Sequence, residues 1–302
     1  MKKRQEKQIK NNLKKVTLTL ILLGFFVFFI VQTYNSLIYK RPDRINVFIL
    51  DERPTLLSIS TSGESNYILN FYSDLKINVP GGFGFYRVGA LNKLVDLEKD
   101  PDLYKRALTG TILTFTEYYF YPRSVDIDYG KKEDISIVEP RIRNILFSKS
   151  NANFLDRLYL AYKVLTLKKN SIRFLDTPEK INISKDLVFD SERFEEKYNG
   201  LFFHSTYRKE RKSVQVLYTK EYTSADIVAQ TLENSGIRVV DISKSSMTDN
   251  NCEIIETQKP FSETAKDISN FFSCKLVLGE SEISDIIVNL GDIERKWSNS
   301  KN

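Results

Sequence analysis

The stretch "SVQVLYTKEYTSADIVAQTLENSGIRVVDIS", residues 213–243, decides the fold class. Its first six residues are β-branched or aromatic at half their positions, with Val214 and Val216 alternating with polar Ser213 and Gln215, as in a strand. Residues 224–236 repeat apolar side chains at helical spacing. Ser224 is the expected N-cap and Gly236 the expected residue just past the C-terminus. Residues 237–243 read as a second strand. The rhythm continues through a polar loop (244–251), a strand at 252–257, and a helix over 261–272 opening with Ser262 and Glu263. Two closing strands lie at 274–279 and 284–292. Alternating strands and helices imply an α/β unit with helices packed on a sheet, expected to fold independently. Cys252 and Cys274, the two cysteines of the chain, both fall in it. A disulfide is the preferred reading, with two buried free thiols as the alternative.

Toward the N-terminus the pattern is different. The run "VTLTLILLGFFVFFIVQTY", residues 16–34, carries no charge. At about 1.5 Å per residue a helix of this length reaches roughly the thickness of a bilayer core. It is too long for a signal-peptide core and no small-x-small cleavage site follows, so a retained transmembrane helix is expected. The preceding tail, residues 1–15, holds seven basic residues against Glu6. The positive-inside rule then keeps the tail cytoplasmic and places the rest of the chain outside, giving a single-pass protein of the cytoplasmic membrane. The whole chain has 45 basic and 39 acidic residues. Removing the tail's seven basic and one acidic leaves 38 of each. The high isoelectric point thus belongs to the tail, and the neutral remainder argues against nucleic acid as a partner.

Between anchor and C-terminal unit, strands are expected at 44–50, 54–60, 66–72 and 117–122, and helices at 91–97 and after Asp100, with Asp100 as N-cap and Gly110 as a weak point. A further helix starts near Asn153, amphipathic in pattern, and a strand follows at 171–176. Residues 135–147 alternate weakly, and 177–200 read as polar and irregular. "RKERK", residues 208–212, reads as a solvated connector. The single histidine, His204, lies beside Phe202 and Phe203. Without a second histidine or a cysteine pair at ligand spacing it reads as a structural residue and not as a zinc ligand. The glycine-rich stretch "NVPGGFGFYRVGAL", residues 78–91, fits neither a P-loop nor a dinucleotide fingerprint. Its glycines suit a tight connection in which Phe83, Phe85 and Tyr86 pack inward.

Taken together, "INVFIL", "PTLLSIS" and "NYILNFYSDLKINVPGGFGFYRVGAL" behind an outward-facing anchor resemble the front half of a LytR-CpsA-Psr domain. That family transfers glycopolymers from a polyprenyl-pyrophosphate carrier to peptidoglycan. The stretches "SVQVLYTKEYTSADIVAQTLENSGIRVV" and "SDIIVNLGD" resemble the LytR C-terminal domain, without its usual Asn-Gly-Thr and Gly-Leu-Ala. The resemblance implies a membrane anchor (16–34), a degenerate LytR-CpsA-Psr-like α/β domain (44–212) and a small α/β LytR C-terminal-like domain (213–297). Most of the family's charged positions are altered. Glu52 stands where the family has Arg, Pro54 where it has Asp, and Ser73 where it has Arg. Asp74, Arg87, Asp156 and Arg157 are the remnants. Pyrophosphate transfer needs a divalent cation on carboxylates and several arginines, and losing one such group costs about 2–4 kcal/mol of barrier.

The resemblance with these losses implies a non-catalytic envelope protein that binds wall polymer, lipid-linked precursor or a partner protein, with no cofactor. One alternative is an active phosphotransferase using Asp74, Arg87 and Arg157, with magnesium on Asp74. Another is a bitopic scaffold of a division or secretion complex. The expected partners are the membrane, peptidoglycan or polyprenyl-linked glycan, and other envelope proteins.

Overall fold

The computed structural model describes residues 2–34, 36–51, 53–123, 141–181, 186–245 and 251–299. Glu52, residues 135–140 of the weakly alternating stretch and most of the 244–251 loop lie outside them.

The chain opens with α1 (Lys2–Tyr34), whose segment Lys14–Tyr34 is apolar and long enough to cross a membrane. A one-turn helix, α2 (Leu37–Lys40), follows. Then come β1 (Arg44–Ile49), β2 (Thr55–Ser60), β3 (Asn66–Asn70), β4 (Lys76–Val79) and β5 (Gly84–Arg87). Next are α3 (Leu91–Glu98), α4 (Leu103–Ile112), β6 (Tyr118–Tyr121), α5 (Ile142–Phe147), β7 (Lys149–Ser150) and α6 (Phe154–Thr166). The segment ends with β8 (Ile172–Leu175), β9 (Glu179–Ile181), β10 (Leu187–Phe189), α7 (Ser191–Tyr198) and α8 (Ser205–Glu210).

Six of these strands form one sheet in the order β7-β6-β1-β2-β3-β8. β1 is buried at all six positions because both faces of this sheet are covered. The two-residue period splits it cleanly. Ile45, Val47 and Ile49 join one core with α6, while Phe48 joins another with α3 and α4. A second sheet, β5-β4-β10-β9, stands beside the α3–α4 core. Residues 177–200, expected to be irregular, supply β9, β10 and α7. Their strands are three residues long, and α7 buries only Phe194 and Tyr198, one turn apart, so neither period has room to show. The second helix of this region starts at Leu103 with Asp102, not Asp100, at its N-cap. The Asp100 carboxylate instead accepts from Asp102 N and from Arg106 Nη2 at 2.7 Å.

The C-terminal unit comprises β11 (Ser213–Tyr218), α9 (Tyr222–Asn234), β12 (Arg238–Lys244), β13 (Glu253–Glu256), α10 (Glu263–Phe272), β14 (Lys275–Leu278), β15 (Ile286–Asn289) and α11 (Glu294–Trp297). Its sheet runs β12-β11-β15-β13-β14, with β13 antiparallel to β15 and the other pairs parallel. Cys252 and Cys274 are joined by a disulfide in front of the adjacent strands β13 and β14. Ser262 caps α10 by accepting from Ala265 N. Ser224 does not cap α9, which begins two residues earlier, and its hydroxyl is buried. The donors at that end are met by Glu294, which is 3 % exposed. Its carboxylate accepts from Thr219 N (2.8 Å), Thr219 Oγ1 (2.6 Å), Lys220 N (2.8 Å) and Glu221 N.

The buried cluster of this unit extends into the preceding segment. Leu113, Phe115 and Tyr207 from the preceding segment belong to the same buried cluster. Phe115 stacks on Phe271 with ring centroids 4.5 Å apart, and Lys105 donates to Phe271 O at 2.6 Å. The two units therefore share an apolar seam.

Candidate functional site

The glycine-rich stretch is a β-hairpin, not a strand-to-helix turn. β4 and β5 pair antiparallel from Lys76 opposite Arg87 to Val79 opposite Gly84. Gly81 sits at φ +97°, where an added Cβ would also meet the Phe83 ring at 3.1 Å. Gly110 of α4 is needed here too, since a Cβ would lie 2.7 Å from the Pro80 ring at the hairpin tip. Phe83 and Tyr86 pack against the core, but Phe85 is 54 % exposed, so the expected inward trio is a pair.

The consecutive amides of Gly81 and Gly82 converge on one oxygen, as in an anion-binding nest. That oxygen belongs to the chain itself. Ser298 O accepts from Gly81 N at 2.7 Å and from Gly82 N at 3.2 Å. Ser298 follows α11, which Glu294 ties to the start of α9, and its own hydroxyl donates to Glu221. The end of the C-terminal unit thus fills the hairpin's donor site.

The four remnant residues are not gathered into one place. Asp74 precedes β4 and Arg87 ends β5, both among elements of the α3–α4 core. Asp156 and Arg157 open α6, which packs with the core on the opposite face of the six-stranded sheet. Asp156 is 4 % exposed and accepts from Leu37 N at 2.7 Å and from Tyr118 Oη at 3.4 Å, so it fastens α2 to α6. Burial raises its carboxyl above the ordinary value against the pull of these bonds. Arg157 Nη1 donates to Ser148 O (2.7 Å) and Ile145 O (3.2 Å), Nε to Ala152 O (3.2 Å), and its guanidinium lies 5.5 Å from the Phe120 ring. It closes the carbonyl end of α5.

Asp74 keeps one buried oxygen, Oδ1, without a hydrogen-bond partner. Magnesium at a phosphate site takes one or two carboxylates plus substrate phosphate oxygens, so Asp74 would be its single protein carboxylate here, the other carboxylate remnant lying across the sheet.

His204 is 3 % exposed and flanked by two carboxylates. Nδ1 lies 3.2 Å from Asp43 Oδ1 and Nε2 3.8 Å from Glu117 Oε1. Its ring stacks on Tyr207 at 4.8 Å, and its backbone N donates to Ser235 O of the C-terminal unit. Burial raises Glu117 to about 7. Burial also acts to raise Asp43, but the bonds from His204, Ser205 and Thr206 N outweigh it and hold this carboxyl well below its ordinary value. The trio joins the stem, the first unit and α8, with His204 buried and the two carboxylates partly exposed.

The open site lies on the other side of α8. A cavity of ≈ 920 Å³ is lined by Arg44, Glu64, Tyr67, Phe203, Arg208, Lys209 and Arg211, among others. Arg44 is 2 % exposed. Its Nη1 donates to Ser58 Oγ at 2.9 Å and its Nη2 to Glu64 Oε2 at 3.0 Å, its guanidinium lies 5.2 Å from the Tyr67 ring, and Nε has no hydrogen-bond partner. Arg208 lies 5.1 Å over the Phe203 ring. α8 divides its side chains between two duties. Tyr207 and Glu210 face the C-terminal unit, Glu210 accepting from Glu263 N and Thr264 N at 2.9 Å each at the start of α10. Arg208, Lys209 and Arg211 face the cavity. The "RKERK" stretch is thus a helix end and a cavity wall, not a connector. Guanidinium groups beside aromatic rings suit phosphate or pyrophosphate attached to sugar. Sequence reading missed this wall because Arg44 is more than 150 positions from Arg208. The cluster at 208–212 was the available signal.

No protein-family model matches the chain, and no curated protein matches its sequence. Solved structures do match in part. Bacillus subtilis TagT is 12% identical, covering 51% of this chain and 88% of that one, with a TM-score of 0.37. A B. subtilis protein described as the transcriptional regulator yvhJ is 10% identical, covering 53% and 95%, with a TM-score of 0.37. The LytR-CPS2A-psr family protein YwtF (TagT), solved with bound octaprenyl pyrophosphate lipid, is 12% identical, covering 51% and 87%, with a TM-score of 0.35.

Proposed function

We propose that the chain is a single-pass envelope protein whose outward-facing part captures an anionic glycan without transferring it. The ligand class is a phosphodiester wall polymer or a pyrophosphate-linked precursor. One observation carries the reading: the cationic, aromatic cavity beside α8. The outward part is formally neutral, so a local attraction for anions must come from clustered cations such as Arg208, Lys209 and Arg211. Arginines beside rings match a ligand that alternates charge with sugar faces. The orientation follows from the seven basic residues of the tail against one acidic, which favour a cytoplasmic N-terminus. The sequence resemblance to a family that handles polyprenyl-pyrophosphate glycans supports the same ligand class.

Transfer is not part of the reading, because the charged remnants are separated by a sheet and two of the four are engaged with backbone groups. The test uses the full chain in nanodiscs with a lipid-pyrophosphate-linked glycan and magnesium. The expected result is retention of the glycan without release of polyprenyl phosphate. Release that disappears in Asp74→Ala would establish the transferase instead.

A further inference from the structure

The helix α6 is apolar on both sides. Its inner side buries Leu160 and Ala161 in the core. Its outer side carries Phe154, Leu158, Tyr162 and Leu165, exposed by 72%, 44%, 61% and 67%. Spacings of four, four and three residues gather them into one stripe, about 80° wide at 100° per residue. The sequence pattern predicts an amphipathic helix, whose outer side would be polar. A line of large exposed apolar side chains marks a surface that meets something other than water.

The position of α6 identifies what it meets. The spanning helix ends at Tyr34, and only two residues separate it from α2. At about 3.5 Å per residue, α2 lies within roughly 10 Å of the end of the span. α2 is fastened to the first turn of α6 by the bond from Leu37 N to Asp156 Oδ1. It exposes Ile38 and Tyr39 itself, and Tyr39 stacks on Tyr34 of the spanning helix at 4.2 Å. The apolar stripe therefore starts at the height where the chain leaves the bilayer. Lys40 and Arg41 at the end of α2 and exposed Lys168 beyond α6 supply cations nearby. Aromatic and aliphatic side chains flanked by cations are the chemistry of a bilayer interface.

We infer that α6 lies along the bilayer surface at which α1 ends. Phe154, Leu158, Tyr162 and Leu165 enter the headgroup–acyl boundary, and the neighbouring cations meet anionic headgroups. The protein is then held at two points, the span and α6, and does not swing on a single tether.

The test uses the full chain in nanodiscs of phosphatidylglycerol and phosphatidylcholine. An environment-sensitive fluorophore is placed on Leu158→Cys or Tyr162→Cys, the native cysteines being joined to each other. Ile283→Cys, whose parent side chain is 62% exposed on the C-terminal unit, serves as the control. Labels on α6 should show about threefold or greater protection from aqueous iodide relative to the control, together with quenching by nitroxides attached near the lipid glycerol. Iodide quenching equal to the control's would overturn the inference. So would protection without nitroxide quenching, which would assign the stripe to a second copy or another protein. Leu165→Cys repeats the measurement at the far end of the helix, where quenching at 158 but not at 165 would refute a helix lying flat.

Discussion

The glycine hairpin and the cavity beside α8 differ in which donors they leave open. The hairpin has the backbone features of an anion site, and its amides are closed by Ser298 O of the same chain. The "RKERK" stretch looks like solvated surface, and its Arg208, Lys209 and Arg211 line an open cavity beside a buried arginine. The difference lies in which groups still face solvent. Two amides at 2.7 and 3.2 Å from a carbonyl are satisfied donors, and an anion must displace that carbonyl to reach them. Arg208 lies over the Phe203 ring at the wall of the open cavity, whereas buried Arg44 spends Nη1 on Ser58 and Nη2 on Glu64.

The comparison can be attacked first at the closure of the hairpin. Glu294 holds α11, and through it Ser298, to the start of α9. Glu294→Ala leaves four donors without their acceptor and should cost about 3 kcal/mol in denaturant unfolding. A loss under about 1 kcal/mol would mean that the closure is loose and that the hairpin can open. Next in size is the open cavity. The double change Arg208→Glu with Arg211→Glu should weaken binding of a phosphodiester glycan by about tenfold or more and flatten its salt dependence. Equilibrium binding at two salt concentrations checks both.

A smaller effect tests what positions α8. Burial holds Glu117 protonated up to about pH 7, against 4.5 for a solvated glutamate. A raised acid binds its proton more tightly in the native state, so its contribution is full below pH 4.5 and lost as pH rises through 7. Asp43 is shifted the other way, so its contribution is present above pH 3.8 and lost as pH falls below it. Thermal stability should therefore be greatest in the weakly acidic range. Glu117→Gln should flatten the decline toward neutral pH and leave the acid limb intact. An unchanged decline would remove Glu117 from the account. The smallest expected effect is at the hairpin: Arg87→Ala should change glycan affinity by less than about twofold, because the cavity lies elsewhere.

Most elements were legible where a period had room to repeat. β1, β2 and β3 are rich in β-branched and aliphatic residues with few polar interruptions, and Asn153 and Ser262 cap their helices by the hydrogen bonds their residue types predict. Three-residue strands such as β9 and β10 carry too little pattern, and α7 reads as polar because only two of its residues turn inward. The site was less legible for a different reason. Asp156 and Arg157 have residue types that suit chemistry, but whether a carboxylate faces a ligand or the amide of Leu37 is decided by tertiary packing. Arg44 reads as the first residue of a strand, and its place beneath Tyr67 appears only when β1, β2 and β3 pair. Glu294, in the last charged cluster of the chain, gives no local sign that it serves the start of α9 some seventy residues earlier.

The most direct test is the affinity of the full chain in nanodiscs for a soluble poly(glycerol phosphate), measured for three proteins: unaltered, Arg208→Glu/Arg211→Glu, and Arg87→Glu. The account predicts about tenfold or greater weakening at α8 and near-unaltered binding at the hairpin. Equal binding by the α8 variant, with loss confined to Arg87→Glu, would contradict it and return the ligand to the glycine hairpin.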